Sequence, residues 1–227
     1  MQRVLDIFFS GVTLVLLMPL LLPLILILKF TGEGEIFFLQ DRVGLGGKSF
    51  KLYKFATMLK NSPNIGTGTV TLHKDSRILP FGAWLRSSKI NELPQLVNIF
   101  IGDMSVIGPR PQTQRCFNAF PKFAQKDIIN VRPGLSGIGS IVFRSEESMM
   151  HADADPDRLY DDVIMPYKGK LESWFVRNNS VGNYFLIIFL TILVILTRST
   201  RLIFQIYPSL PRPPKGLSSF IFSNYYE

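Results

Sequence analysis

From Ile7 to Leu28 the chain reads IFFSGVTLVLLMPLLLPLILIL, without a single charged residue. A helix of roughly 20 apolar residues suffices to cross a bilayer, so this stretch demands either lipid or a large core. A cleaved signal peptide is disfavoured, because the KFTGEGEIFF that follows has no small-residue cleavage pattern. Pro19 and Pro23 fall inside the run. Each removes a backbone hydrogen bond and crowds the preceding turn, at a cost of about 3 kcal/mol. In lipid the freed carbonyls need local partners. Two courses fit: a kinked helix that spans fully, or one that breaks near Pro19 and turns back. Arg3 and Lys29 flank the two ends, so the distribution of positive charge does not separate them.

A second apolar run, Tyr184 to Leu196, is shorter at about 13 residues, a length typical of core or interfacial helices. Arg198 and Arg201 follow it and suit lipid headgroups, so it is read as lying on or shallowly in a membrane. Extended to Val181 and Thr197, it could also span. The segmentation is then a membrane helix over 1–30, a compact soluble domain over 31–180, a membrane-associated helix over 181–205, and a proline- and aromatic-rich tail over 206–227.

With 47% hydrophobic and 19% charged residues the chain is too apolar to be disordered. The single Cys116 forms no internal disulfide, and with the distant His73 and His151 it gives no zinc-ligand spacing. The net charge of +8 asks for an anionic partner. No run of five or six Lys/Arg and no nucleic-acid motif is present, so nucleic acid is set aside in favour of an anionic membrane face or phosphorylated small molecules.

The middle segment mixes β and α signals. Ile36–Leu39 and Phe50–Phe55, joined by a glycine-rich turn, predict a β-hairpin. Gly47-Lys48-Ser49 match the end of a phosphate loop, but Arg42 stands where its first glycine should be. LPFGAWLRSSKI and AFPKFAQKDIINV read as helices, as does DRLYDDVIMPYKGKLESWFVRN. Leu93, Leu96, Val97 and Phe100 recur at helical spacing and predict an amphipathic helix, with Pro94 in its first turn and its start near Asn91. The fold class is therefore α+β: an N-terminal membrane helix, re-entrant or spanning, a small, mainly helical domain with a β-hairpin, and an interfacial C-terminal helix.

Asn91-Glu92 has two readings. Asn is a favoured helix N-cap, and an acidic residue in the first turn is stabilised by the helix dipole. The pair also sits among residues suited to phosphate chemistry. Lys54 in LYKFATM, Arg86 in WLRSSKINELPQL, Asp103 in GDMS and Arg110 in GPRP follow in order behind the apolar segment. NELPQLVNIFIGDMSVIGPRP and VRPGLSGIGSIVFR complete the series.

This series resembles the bacterial sugar transferase family, the monotopic polyprenyl-phosphate phosphoglycosyl transferases, from the apolar segment to about residue 195. The resemblance implies a re-entrant helix broken at Pro19 and a catalytic domain on the cytoplasmic face of the bacterial inner membrane. It implies transfer of a sugar 1-phosphate from a UDP-sugar to undecaprenyl phosphate with release of UMP, opening surface glycan assembly, with magnesium as cofactor. A homo-oligomer is compatible with it. Lys54, Arg86, Arg110, Arg132 and Arg144 would neutralise the phosphates, since arginine grips phosphate oxygens with paired hydrogen bonds. Glu92 would hold the metal.

The sequence departs from the family pattern at three positions. The nucleophilic aspartate is replaced by Asn91, a basic position by Ala56, and the aspartate of S-x-x-D by Asn183. An amide cannot do the covalent work of an ionised carboxylate. Three accounts follow. Glu92 or direct attack by the lipid phosphate does the work; or the nucleophile is lost and binding remains; or Asp103, the nearest alternative carboxylate, takes the role.

Overall fold

The computed structural model describes residues 1–62, 75–144, 146, 156–197 and 199–222. His73, His151 and Arg198 lie outside them. The chain divides into two compact units that cut across the sequence segments. One comprises Val4–Asp41 and Lys51–Gly102; the other comprises Met1–Arg3, Arg42–Phe50 and Asp103–Glu227. They are called here the N-terminal and C-terminal units.

The N-terminal unit is built on α1, Gln2–Phe30, which runs unbroken through Pro19 and Pro23. The expected division into two helices at Pro19 is not seen. Its 29 residues reach about 44 Å at 1.5 Å per residue, more than a bilayer core requires. It is the one described helix long and apolar enough to cross a membrane, and only 11% of its most apolar window is buried. The residues it does bury, Asp6, Ser10, Leu24 and Leu28, share one face, because steps of 4 and 14 return close to the same angle. Leu24 and Leu28 form a core with Phe55 and Leu85, against which Ile36, Phe81 and Ile90 pack. The apolar run is therefore a structural part of its unit, which is why contacts group 4–41 with 51–102.

The hairpin is present. Strand β1 is Phe37–Val43 and β2 is Ser49–Phe55. β1 continues four residues beyond the expected Leu39, because alternation of exposed and half-buried positions persists through Gln40-Asp41-Arg42 despite their polarity. The turn is a short 3-10 segment, Leu45–Gly47, with Gly46 and Gly47 at φ 67° and 74°. Helix α2, Pro80–Ser87, begins with proline at its first turn and docks on the chain leaving β2. Leu79 N–H donates to Thr57 O at 3.0 Å, and a Cβ at Gly82 would overlap that same oxygen. Only glycine permits this approach.

Helix α3 is Gln95–Ile101, ended by Gly102 at φ 107°. Its start lies later than expected: Asn91 belongs to a separate 3-10 turn, Ile90–Glu92, and makes no helix cap. The expected apolar stripe is also corrected. Gln95, Leu96, Asn98 and Ile99 face inward, whereas Val97, Phe100 and Ile101 are exposed.

In the C-terminal unit, β3 (Ser105–Ile107) pairs in parallel with β4 (Gly134–Ser136), matching Ser105 to Gly134 and Ile107 to Ser136. Parallel neighbours need a crossover, supplied by α4 (Gln114–Asn118) and α5 (Lys122–Ile128). Short α6 (Ile138–Val142) follows. α7 (Pro156–Leu159) leads through a π-helical turn, Tyr160–Ile164, into α8 (Met165–Arg177). Pro166 lacks an N–H to donate, which accounts for the widened turn before it. Val43, Phe117, Phe120, Ala124 and Met165 form one core cluster of this unit. α5 and α8 approach closely at Gly169, where a Cβ would lie 3.0 Å from that of Ala124.

Val181–Thr197 forms α9, the expected second apolar helix. The tail is more ordered than its prolines suggest: Arg201–Ile206 forms α10 and Lys215–Phe222 forms α11.

Candidate active site

In the N-terminal unit, β2 presents Lys54 and the 3-10 turn presents Glu92, with Lys54 Nζ 3.8 Å from Glu92 Oε1. Both side chains are about one-fifth exposed, accessible to a ligand yet partly shielded from water. The turn is set by Lys89, whose φ of 60° is the only left-handed non-glycine among the described residues. That conformation costs roughly 1–2 kcal/mol for an L-residue. It places a strained backbone position two residues before Asn91.

Asn91 is buried at 7% exposure, and its Oδ1 has no hydrogen-bond partner among the described residues. A buried, unsatisfied amide oxygen is costly in an ordinary helix start. The capping explanation of Asn91 therefore fails on geometry. Arg86 lies in the last turn of α2, half-buried.

Asn98 was not singled out by sequence. Fully buried on α3, its Oδ1 accepts from Tyr53 N–H at 2.9 Å and its Nδ2 donates to Lys51 O at 2.8 Å. It thus fastens β2 at Lys51 and Tyr53, on either side of Leu52 and immediately before Lys54.

The C-terminal unit carries the remaining cations. Arg110 and Arg132 sit on loops that touch along their backbones: Gly134 N–H donates to Pro109 O at 2.8 Å, and a Cβ at Gly108 would overlap Arg132 O. Arg144 is exposed on the turn after α6, and Asp103 begins the longest segment of this unit. Beneath the Arg110 loop lies Glu172, a buried carboxylate of α8 that sequence reasoning also missed. Its Oε1 accepts from Arg110 N–H at 3.4 Å, and its Oε2 has no hydrogen-bond partner among the described residues. Burial pushes the pKa of its carboxyl up to about 7, against the opposing pull of Lys168 and the Arg110 N–H. Lys168, itself buried, is held by Glu146 at 2.8 and 2.9 Å.

The structure thus brings Lys54 and Glu92 together, with Asn91 adjacent in sequence, and separately brings together the loops of Arg110 and Arg132. Among the described residues no group of three or more His, Cys, Asp or Glu could hold a metal by itself.

The bacterial sugar transferase family model matches residues 1–198, and the chain belongs to that family. It is 34% identical over 200 residues to the UDP-N-acetylgalactosamine-undecaprenyl-phosphate N-acetylgalactosaminephosphotransferase of Aeromonas hydrophila, covering 86% of this chain and 44% of the relative. It is 34% identical to the exopolysaccharide production protein ExoY of Rhizobium meliloti (strain 1021), covering 65% of this chain and 71% of the relative. It is also 34% identical to the UDP-glucose:undecaprenyl-phosphate glucose-1-phosphate transferase of Klebsiella pneumoniae, covering 62% of this chain and 30% of the relative. The match therefore spans less than half of the Aeromonas and Klebsiella proteins.

Proposed function

We propose that this chain transfers a sugar 1-phosphate from a UDP-sugar to undecaprenyl phosphate, the opening step of surface glycan assembly. The observation that carries the reading is the Lys54–Glu92 pair beside Asn91, in the unit built on the long apolar helix. Family membership and the relatives' named reactions support it.

In this reading a phosphate oxygen of the lipid attacks the β-phosphorus of the UDP-sugar. The bond from that phosphorus to the oxygen shared with the α-phosphate breaks, UMP leaves, and a lipid diphosphate sugar forms. Asn91 has no carboxylate to form a phosphoryl-enzyme, so a direct displacement is favoured over a covalent intermediate. Lys54 and Arg86 supply positive charge toward the diphosphate, and Arg110, Arg132 and Arg144 are the further cations this chemistry calls on.

Magnesium fits the donors present: one carboxylate, Glu92, and the unpartnered amide oxygen of Asn91 are hard oxygen ligands, and this ion is commonly held by few protein groups plus substrate phosphates. When bound it would neutralise charge on the diphosphate. The remaining work falls to the chain's own residues: Glu92 holds Lys54 in place, and Asn98 fixes the strand that bears it.

The membrane setting belongs to the same proposal. α1 is exposed along most of its apolar surface, and Val97, Phe100 and Ile101 of α3 are exposed in the same unit. Held by α1 at the cytoplasmic face of the bacterial inner membrane, the site would lie at headgroup depth. Asn91 favours one second reading, a relative that binds nucleotide sugar without turning it over. Labelled UDP-sugars incubated with undecaprenyl phosphate and the full chain separate the two. Labelled lipid diphosphate from the natural sequence supports transfer; product only after Asn91→Asp supports the binding-only reading.

A further inference from the structure

We infer that residues 199–222, beyond the region matched by the family, build a second anion site that takes the phosphate of an anionic glycerophospholipid. The inference is independent of the proposed reaction.

The tail is fastened to its unit by specific contacts. Tyr207 packs on Trp174 at 4.9 Å between ring centroids, and its hydroxyl donates to Asn183 Oδ1 at 3.1 Å. Trp174 Nε1 donates to Ser209 Oγ at 3.1 Å, and Tyr167 OH donates to Pro211 O at 2.8 Å. Pro211, Pro213 and Pro214 restrict φ along the strap. α10 and α11 are joined by the Thr200 hydroxyl donating to Ile221 O and by an edge-on contact of Phe204 with Phe222.

These contacts border a shallow, open cleft lined by Arg201, Phe204, Gln205, Pro208, Arg212 and Phe222. Arg212 lies over the Phe204 ring at 5.4 Å. Two guanidinium groups line one cleft, with no carboxylate among its described walls. From Asn178 to Tyr226 the sequence contains Arg198, Arg201, Arg212 and Lys215 and no acidic residue. Like charges gathered this way attract an anion, and forked guanidinium donors match the two free oxygens of a phosphodiester.

The surroundings select a lipid over a free anion. α9 ends at Thr197, close in sequence to Arg201, and exposes Phe185, Phe189, Ile192, Ile195 and Leu196 along one stripe. Leu202 and Ile206 of α10 are exposed as well. A cationic cleft flanked by exposed apolar helices complements a molecule with a phosphate head and acyl chains. Inorganic phosphate would use the arginines and leave the apolar flank without a role.

The test uses the full chain in neutral detergent, with dioctanoyl phosphatidylglycerol, dioctanoyl phosphatidylcholine or inorganic phosphate added. Phosphatidylglycerol is expected to raise the melting midpoint and to persist as a bound adduct in native mass spectrometry. Arg201→Ala with Arg212→Ala should weaken its binding about tenfold or more. Gln205→Glu, which places a negative charge in the cleft without touching the Phe204 contact, should do the same without lowering the lipid-free midpoint. If the double variant melts lower without lipid, Gln205→Glu decides. Equal shifts with phosphatidylcholine or inorganic phosphate, or full binding retained in Gln205→Glu, would overturn the inference.

Discussion

The side chain of Asn98 accepts the backbone N–H of Tyr53 at 2.9 Å, so helix α3 completes the hydrogen bonding of strand β2 next to Lys54. Replacing Asn98 by alanine leaves the Tyr53 N–H and the Lys51 carbonyl without this partner, at about 1–3 kcal/mol for each buried group. A lower melting midpoint and reduced turnover are expected. Asn98→Asp retains the acceptor and loses the donor, so it should fall between. Unchanged turnover in Asn98→Ala would show that the strand holds Lys54 without the clamp.

Glu92→Gln and Lys54→Met should each lower turnover about 10²-fold or more, in the range seen when one preorganised electrostatic group is removed. Because the two groups face each other, the double variant should lose less than the product of the single losses. Initial rates with a saturating UDP-sugar measure this. Multiplicative losses would mean the residues act separately.

Glu172 makes stability depend on pH with a definite sign. Its folded carboxyl titrates near 7, above the ordinary value of 4.5. Below the lower value both states are protonated. Between the two, the unfolded chain releases its proton while the folded chain keeps it, so stability falls as pH rises through this window. Glu172→Gln should remove that decline, changing the difference between the two proteins by on the order of 3 kcal/mol from pH 4 to pH 8. Unfolding midpoints across that range check it; parallel profiles would refute it.

Gly134→Ala should separate the loops bearing Arg110 and Arg132. The added Cβ would overlap Gly108 N, a backbone atom that cannot swing aside. A cost of about 1–3 kcal/mol or more is expected, with a raised KM for the UDP-sugar. Melting and steady-state kinetics test both parts.

Much of this was legible in the sequence because its signals are local. The uncharged run of α1, the glycine turn of the hairpin and the short helix within LPFGAWLRSSKI each announce themselves within a few residues. What was missed depends on distant partners. β3 and β4 have three residues each and are joined across a crossover. Asn98 was hidden because the apolar spacing of Leu93, Leu96, Val97 and Phe100 pointed to the wrong face; the exposed Val97 and Phe100 mimic a core stripe. Glu172 looks like any acidic helix residue until α6 and the Arg110 loop close over it.

The stripe of Asp6, Ser10, Leu24 and Leu28 would give α1 a fixed azimuth in a membrane. A uniformly greasy rod could spin freely in hydrocarbon, but this one carries a carboxylate along a single line. Turning that carboxylate into hydrocarbon would cost up to about 2.5–3.5 kcal/mol, the value at a helix centre, and less at Asp6 near the helix end. In the proposed membrane setting, insertion would therefore be keyed: one rotational setting shelters Asp6, and the same setting turns Leu24 and Leu28 to Phe55 and Leu85.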